Sequence, residues 1–510
     1  MAKRILSLVL IVLMCVSAAL IASCGKTESG VSGASGDVSG VSGEDGGEEK
    51  LQIPEKNWGG QKVTLLTLSN GQRNFSETVI PSELTNEPIN DAFYDRNALI
   101  EEKYGIELEL IPCDSVDDGI GMLQRDMDGG MQEINIVSLP LTYMAPFGVE
   151  GTLYDYKALR EKNGYIHYDS PWWDQAMVRD LDINNKLWFL AGDALVEDDE
   201  ATWAIYFNKD LVESYQLESP YKLVKDHQWT LDTMHELAKQ VHHMNGSQMS
   251  YEPEDNDVWG IVTQSYDAYA FMLGGGQAMV DNSGDLPVFR VMEEENVSTF
   301  DSVMKIMSDE ENVGVADFFG AWNSGVYDKE TSIFCKGNAL FMPQTISQVS
   351  GTKMREAEIH YGILPMPLRS ELQDDYSTSA SVYWAQVLCI PISNVDNIDA
   401  TCYAMELMAY YGMQKVTPEY YSRTLKYKRF EDEESGEMLD YIFRNRTYDL
   451  AGIFDFGTVG DNGEGTLYFY TTLLFQKNNY KLMSMWESKE SQFTGALEEL
   501  IAQVTGSEAG

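Results

Sequence analysis

Residues 62–71 read KVTLLTLSNG, and this stretch decides the fold class. Its apolar run at 63–68 predicts a buried strand, and the Ser-Asn-Gly that follows predicts the turn that ends it. Apolar residues then recur at helical spacing over 89–104, up to a glycine. Residues 106–110 alternate apolar and acidic side chains, as a second strand does. Strand, helix and strand in this order predict a parallel α/β layer, whose ligand crevice lies at the carboxyl ends of the strands.

The same kinds of pattern continue beyond this unit. A helix is predicted at 122–131 and a third strand at 134–137, followed by two strands at 187–190 and 204–207. Further buried segments and helices follow up to about residue 410, and no internal repeat with a period of 20 to 50 residues is present. The fold class is therefore predicted to be α/β, with two lobes.

Length and charge limit the function. The chain has 510 residues, which at roughly 150 residues per domain corresponds to two or three domains or two large lobes. It carries 36 basic and 81 acidic side chains, a formal net charge of −45. A surface of this sign repels phosphate, so binding to nucleic acid or to anionic lipid through a basic face is excluded.

The N-terminus has the layout of an export signal. Lys3 and Arg4 precede an apolar or small run at 5–22, which ends in Ile-Ala-Ser-Cys at 21–24. An uncleaved anchor helix is the alternative. The small residues before Cys24 resemble the lipobox of bacterial lipoproteins, which implies removal of residues 1–23 and attachment of a diacylglyceryl group, with acyl chains such as palmitate, to Cys24. Two or more acyl chains hold a protein stably at a membrane.

Residues 24–50 are predicted to be a tether. They consist of Val-Ser-Gly and Ala-Ser-Gly repeats with acidic residues and almost no large apolar side chain. A Gly/Ser coil of this length reaches about 25–30 Å. The folded part is thus expected to stand off the membrane.

The remaining cysteines give no disulfide pattern. Once the signal is removed and Cys24 is acylated, Cys113, Cys335, Cys389 and Cys402 remain. Buried free thiols are the favoured interpretation, since Cys389 lies in an apolar run. Four cysteines allow three pairings, and the spacing selects none of them.

Catalytic and metal-binding motifs are incomplete. His235-Glu236 begins a zincin-like pattern, but Lys239 stands where the second histidine is needed. The glycines at 274–276 lack the spacing of a dinucleotide loop. The acidic stretches at 255–257 and 281–285 lack the spaced glutamate of an EF-hand, which favours turns and leaves calcium undecided. We therefore expect no catalytic residue, no cofactor and no metal, although paired carboxylates for glycoside hydrolysis stay open among so many acids.

Five segments occur in a familiar order. They are the tethered lipobox, YFNKDL at 206–211, WTLD at 229–232, FCKGNALFM at 334–342 and LPMP at 364–367. Together with the early strand, helix and strand, they resemble the family 1 extracellular solute-binding proteins, the receptors of bacterial ABC importers, commonly for sugars. The likeness spans about residues 58 to 410. One difference is that Ser-Leu-Pro at 138–140 follows the third strand, where many sugar receptors carry an acid.

The resemblance implies two α/β lobes joined by crossing hinge strands, with the ligand between them. By analogy the first lobe takes 51–168 and 331–376, and the second takes 169–330 and 377–510. It also implies a monomeric receptor, lipid-anchored at the extracellular face of the cell membrane. Its partners would be a mono- or oligosaccharide and the permease subunits of an ABC transporter. A surface-anchored glycoside hydrolase and a receptor for peptides or another solute are the alternatives.

Sugar sites combine flat aromatic rings, which face the C–H side of a pyranose, with planar polar groups for its hydroxyls. The candidate ligand-binding residues are chosen on this basis from strand ends, loops and the predicted crossover. They are Asn70, Trp172, Trp173, Asp193, Trp322, Asn323, Gln344, Tyr376 and Tyr383. Each has a structural alternative: a turn role for Asn70, helix capping for Asn323, a plain loop carboxylate for Asp193, and core or hinge packing for the aromatic rings. Trp203, at the start of a strand, is expected to be core.

Overall fold

The computed structural model describes residues 50–69, 79–284, 286–421, 433–458, 465–476 and 480–506. All of them belong to one compact unit of the chain. The predicted signal, Cys24 with most of the tether, and Asn70 lie outside the described residues. Within those residues, no helix has both the length and the apolar character needed to cross a membrane.

The strands are given first, in chain order. They are β1 (Gln61–Leu68), β2 (Ile106–Cys113), β3 (Ile136–Pro140), β4 (Trp203–Asn208), β5 (Trp259–Thr263), β6 (Val280–Asp281), β7 (Val288–Phe289), β8 (Val313–Val315), β9 (Ala339–Thr345), β10 (Tyr361–Leu364), β11 (Thr378–Ser379), β12 (Gln386–Cys389) and β13 (Arg446–Thr447).

The α-helices connect and cover these strands. They are α1 (Pro88–Tyr104), α2 (Val116–Gly129), α3 (Leu141–Val149), α4 (Tyr156–Asn163), α5 (Gln175–Asp180), α6 (Glu197–Glu200), α7 (Lys209–Ser214), α8 (Pro220–Lys225), α9 (Leu231–Val241), α10 (Asp267–Gly274), α11 (Glu294–Met307), α12 (Val326–Cys335), α13 (Thr352–Arg355), α14 (Ile398–Pro418), α15 (Glu433–Arg444), α16 (Leu450–Phe454), α17 (Phe469–Leu474) and α18 (Leu482–Thr505). Short 3-10 turns lie at Ala316–Phe318, Trp322–Ser324 and Ile346–Ser350.

The first sheet has the strand order β12-β3-β1-β2. Strand β1 runs parallel to both β2 and β3, while β12 is antiparallel to β3. Helix α1 connects β1 to β2 and ends at Gly105, whose backbone adopts a φ of 62° that glycine tolerates without a steric penalty. The predicted strand, helix and strand are confirmed, and so is the α/β fold class.

The second sheet has the strand order β10-β4-β9-β5-β8. Strand β5 is parallel to β8 and β9, whereas β4 is antiparallel to β9 and β10. The carboxyl ends of β5, β8 and β9 therefore meet the beginning of β4 at one edge. Polar side chains that directly follow these strand ends are therefore brought to the same edge of the second sheet.

The strand pairings show to which sheet each segment of the predicted lobe returns belongs. Strands β9 and β10, which the resemblance placed in the first lobe with 331–376, pair with β4 in the second sheet. Strand β12, placed in the second lobe with 377–510, pairs with β3 in the first sheet. The physical reason is that β9 is buried along its whole length and hydrogen-bonds on both sides, to β4 and to β5.

The chain crosses between the sheets where short bridges form. Leu190 pairs with Leu388 on the first-sheet side, and Thr202 pairs with Ala380 on the approach to the second sheet. The Thr378 hydroxyl donates a hydrogen bond of 2.7 Å to the carbonyl of Trp203. Strands β11 and β13 pair in parallel beside this crossing. These contacts fix the crossing segments against each other.

The four cysteines are free thiols in the structure. Cys113, Cys389 and Cys402 are buried, and Cys335 is half-buried. Burial raises the pKa of each thiol. Their chemistry is therefore that of small apolar side chains rather than of reactive thiolates.

Candidate ligand-binding site

Aromatic side chains bridge from the first sheet toward the second. Tyr143 stands in the first turn of α3, directly after β3, and its ring contacts Tyr383 edge to face with centroids 6.2 Å apart. Tyr383 lies in the crossover before β12, and its hydroxyl is 3.1 Å from the hydroxyl of Tyr468. All three tyrosines are half-buried. They extend from the end of β3 to the beginning of α17.

The same series continues at the edge of the second sheet. Trp203 begins β4, Tyr266 follows β5, and their ring centroids are 5.8 Å apart. Burial, and then the hydroxyl of Tyr468, raise the pKa of Tyr266, so the two side chains are near enough to interact electrostatically. We call Tyr143, Tyr383, Tyr468, Tyr266 and Trp203 the aromatic row. It connects the carboxyl end of β3 with the carboxyl end of β5.

Carboxylates lie at the second-sheet end of the aromatic row. Asp267 accepts hydrogen bonds from the Thr263 hydroxyl at 2.6 Å and from the backbone N–H of Gln264 at 3.0 Å. Burial raises the pKa of Asp267 to about 7. Asp317, just after β8, accepts from the Tyr327 hydroxyl at 2.6 Å. Asp267 and Asp317 both follow strands of the second sheet, at the edge where β5 and β8 end.

Glu330 in α12 is completely buried beside this acidic group. Burial, and then the charge of Asp267, raise its pKa well above the usual range. Neither carboxyl oxygen accepts a hydrogen bond of standard length, although the side chains of Gln264 and Gln344 lie near enough to lower the pKa somewhat. A protonated Glu330 with two nearby amides forms a polar group that can donate and accept, as hydroxyl-rich ligands require.

Solved structures share this arrangement of two sheets. A sugar transporter from Rhizobium etli, in an open conformation, aligns with a TM-score of 0.57 at 14% identity over 84% of this chain and 99% of its own. UgpB from Mycobacterium tuberculosis, in complex with glycerophosphocholine, aligns with a TM-score of 0.56 at 12% identity over 86% and 99%. An ABC substrate-binding protein from Listeria monocytogenes, in complex with cycloalternan, aligns with a TM-score of 0.50 at 13% identity over 88% and 100%.

The chain has the fold of the ABC substrate-binding proteins. The resemblance stated from the sequence is confirmed at the level of the fold, including its two lobes. No family model matches the sequence, and no curated protein matches it. The likeness therefore lies in the backbone, and the site has to be argued from this chain's own residues.

Two of the nine candidate residues lie at the aromatic row. Tyr383 is one of its members, and its hydroxyl pairs with Tyr468. Gln344 lies inside β9 rather than in a loop after it, and its side chain is near enough to the buried Glu330 to lower the pKa of that residue. Both positions stay candidates for ligand contact.

Trp172 and Trp173 are buried in this structure, as the alternative of core packing has it. Each is only 1% exposed. The indole N–H of Trp173 donates to Glu406 at 3.1 Å, and Trp172 packs edge to face on Tyr410 at 5.2 Å. Their rings stabilise the contact between the 170–174 segment and α14.

Tyr376 and Asp193 also have structural partners. Tyr376 is 1% exposed, and its hydroxyl donates to the carbonyl of Val224 at 3.1 Å. Asp193 accepts a short hydrogen bond from the Thr417 hydroxyl, and burial raises its pKa well above the usual range. Neither residue contacts a member of the aromatic row through a described hydrogen bond or ring pair.

The other three candidates are not placed at the row. Asn323 is exposed in the 3-10 turn before α12. The side chain of Trp322 in the same turn, like all of Asn70, lies outside what the structure describes. These three stay predictions.

Sequence reasoning missed most of the aromatic row. Tyr143 and Tyr266 each come within three residues of the end of a strand, β3 and β5, which is a detectable signal once those ends are known. Trp203 was correctly expected to be buried, and it is 5% exposed, yet its ring contacts the half-buried Tyr266. Tyr468 follows a stretch with no strand pattern, so nothing in the sequence marked it.

The buried Glu406 gives a testable pH dependence. Burial raises its pKa to about 7, although it accepts hydrogen bonds from the backbone N–H of His167 and from Trp173. The folded protein thus binds a proton that the unfolded chain releases near pH 4.5. Protonated Glu406 therefore contributes to the free energy of unfolding most fully below about pH 4.5. This contribution falls by up to about 3 kcal/mol as the pH rises through 7.

We expect the melting temperature of Glu406→Gln to fall less than that of the wild type between pH 5.5 and pH 8. Thermal unfolding at three pH values in this range measures the two slopes. Glu213→Gln, a change at an exposed glutamate of α7, is the matched control and should keep the wild-type slope. Equal slopes for all three proteins would show that Glu406 does not titrate in this window.

Proposed function

We propose that the protein is the substrate-binding component of an ABC importer and captures a carbohydrate between its two lobes. The observation that carries this proposal is the aromatic row, which joins the strand ends of the two sheets and has Asp267, Asp317 and Glu330 at one end. Rings of this kind stack on the apolar face of a sugar, and the carboxyl and amide groups bind its hydroxyls. Because many sugar receptors use an acid after the third strand and this chain does not, we assign hydroxyl binding to the acids of the second sheet.

The lobes can be divided by sheet membership. We assign 51–196 and 381–421 to the first lobe, which holds β12 and α14. We assign 202–377 and 433–506 to the second lobe, which holds β9, β10 and the C-terminal helices. The segments 197–201 and 378–380 act as the hinge, and a ligand that contacts both lobes favours the closed state by its differential affinity.

Export and membrane attachment complete the proposal. Residues 1–23 would be removed, Cys24 acylated, and residues 24–50 would tether a monomeric receptor near its permease at the extracellular face of the membrane. The wild-type protein should therefore carry a lipid mass on Cys24, and Cys24→Ala should not. Mass spectrometry of the mature N-terminus tests this expectation. An unmodified Cys24, or a retained signal, would contradict the anchor and leave the carbohydrate proposal standing.

A thermal-shift screen of residues 51–510 tests the ligand class. The screen compares monosaccharides, oligosaccharides and peptides, because a ligand at 100 times its dissociation constant stabilises the folded state by about 2.7 kcal/mol. We expect at least one carbohydrate, and no peptide, to raise the melting temperature. A shift with peptides alone would overturn the carbohydrate class. Chromatography of each carbohydrate after incubation should show it intact, and cleavage products would instead support the hydrolase alternative.

A further inference from the structure

A second concave surface shares no residue with the aromatic row. It is a cavity of about 670 Å³ between residues 286–292 and helix α18. The lining residues of α18 include Met483, Glu487, Glu490, Thr494, Glu498 and Ile501, which are spaced by three or four positions and therefore lie on one helix face. This face extends over the 18 steps from Met483 to Ile501, or about 27 Å at 1.5 Å per residue. We call it the α18 groove.

The floor of the α18 groove is apolar and open to solvent. Leu286 is 44% exposed, Val288 56% and Met483 61%. Trp486, Leu497 and Ile501 of α18 line the same cavity. Contiguous exposed apolar surface of this kind marks an interaction site, and methionine adapts to varied partners.

The charged residues of the groove all have one sign. Glu487, Glu490 and Glu498 are exposed along its α18 side. A second cavity of about 340 Å³ shares Met292 and Met483 with the first and adds Glu294 and Asp301. The residues lining the two cavities include no lysine, arginine or histidine. The groove is thus an apolar channel with an acidic rim.

We propose that the α18 groove docks a basic amphipathic helix of a partner protein. A helix fits because the open face runs for about 27 Å along another helix, and packed helix axes lie about 8–10 Å apart. Basic residues fit because their charges complement the acidic rim while an apolar face occupies the floor. A second copy of this chain fits poorly, since it would bring the same acidic rim and a net charge of −45.

Binding of a synthetic peptide tests the proposal. The probe is an 18-residue fluorescent peptide of leucine and lysine in amphipathic order, measured by anisotropy at 150 mM salt against the protein from residue 51. A scrambled peptide of the same composition controls for general attraction to an acidic protein. Val288→Asp and Met483→Asp place a charge on the floor at exposed positions, where folding is expected to be unaffected. Leu372→Asp, at a residue that is 88% exposed, is the matched control.

We expect the amphipathic peptide to bind at least tenfold more tightly than the scrambled one. Val288→Asp and Met483→Asp should each remove that preference, and Leu372→Asp should keep it. Equal binding of the two peptides, or wild-type affinity in both floor variants, would overturn the proposal. Sedimentation velocity supplies a second outcome: a wild-type dimer that Met483→Asp dissociates would show that a second copy occupies the groove, and would also overturn it.

Discussion

Arg446→Met should lower the free energy of unfolding by about 3–5 kcal/mol, because it leaves buried carboxylates without their cation. The Arg446 side chain is 7% exposed. Its guanidinium contacts Asp174 at 3.1 Å, Asp198 at 2.9 Å and Asp199 at 2.5 Å. These aspartates come from the start of α5 and from α6, which directly precedes the crossing into β4. The charge network therefore joins the segment of β13 to both helices.

The loss should depend on pH. Burial and the neighbouring Asp199 already raise the pKa of Asp198 to about 7, while Arg446 lowers it. Without Arg446 the folded-state pKa values of Asp198 and Asp199 rise further, so that folding takes up protons and the variant is more stable at pH 5.5 than at pH 8. Methionine keeps much of the side-chain volume, which limits the contribution of a cavity.

Urea denaturation at pH 8 measures this effect. Arg444→Met is the matched control, because its ion pair with Asp375 is partly exposed and should contribute at most about 1 kcal/mol. A loss below 1 kcal/mol in Arg446→Met would show that the buried network does not stabilise the hinge.

Tyr383→Ala and Tyr266→Ala should each weaken carbohydrate binding about 30-fold or more, equivalent to roughly 2 kcal/mol for a binding anchor. The two rings stand on either side of Tyr468 in the aromatic row, so weaker binding in both variants would place the ligand across the middle of the row. Tyr376→Ala provides the contrast. Its buried ring should cost about 3–5 kcal/mol of stability through the cavity that its removal leaves.

Calorimetric titration and thermal unfolding of each variant separate the two roles. The ligand is the carbohydrate that gives the largest shift in the thermal screen. Normal affinity in both row variants, with the proteins still folded, would remove the aromatic row from the binding site and leave the fold assignment unaffected.

The fold class could be predicted because its signal is local. Residues 62–110 contain a buried strand, a helix closed by Gly105 and a second strand in one continuous stretch. The sheet to which the later segments return could not be predicted, because strand pairing joins residues that are far apart in the sequence. Strand β4 hydrogen-bonds to β9 and β10, which lie more than 130 positions further along the chain. Patterns within a segment show that it is buried, and they do not show which sheet buries it.

One member of the aromatic row could be named from the sequence because its position follows from the predicted crossover. Tyr383 lies in that crossover, between β11 and β12, and its contact with ligand stays a prediction. Trp172 and Trp173 were candidates, with core packing as the alternative, because an indole suits a sugar and a core equally well. What decides between the roles is Glu406, which accepts from the indole of Trp173 across 233 positions. No pattern around residue 173 could reveal that partner.

Hydrogen–deuterium exchange tests the central claim, capture of a carbohydrate between the two sheets, most directly. It is recorded with and without the carbohydrate identified by the thermal screen. We predict slower exchange on both sides of the aromatic row. The affected segments are 141–149 and 381–386, which adjoin the first sheet, and 264–272, which follows β5 of the second sheet. Protection confined to one of the two sheets, or appearing only away from the row, would contradict the account.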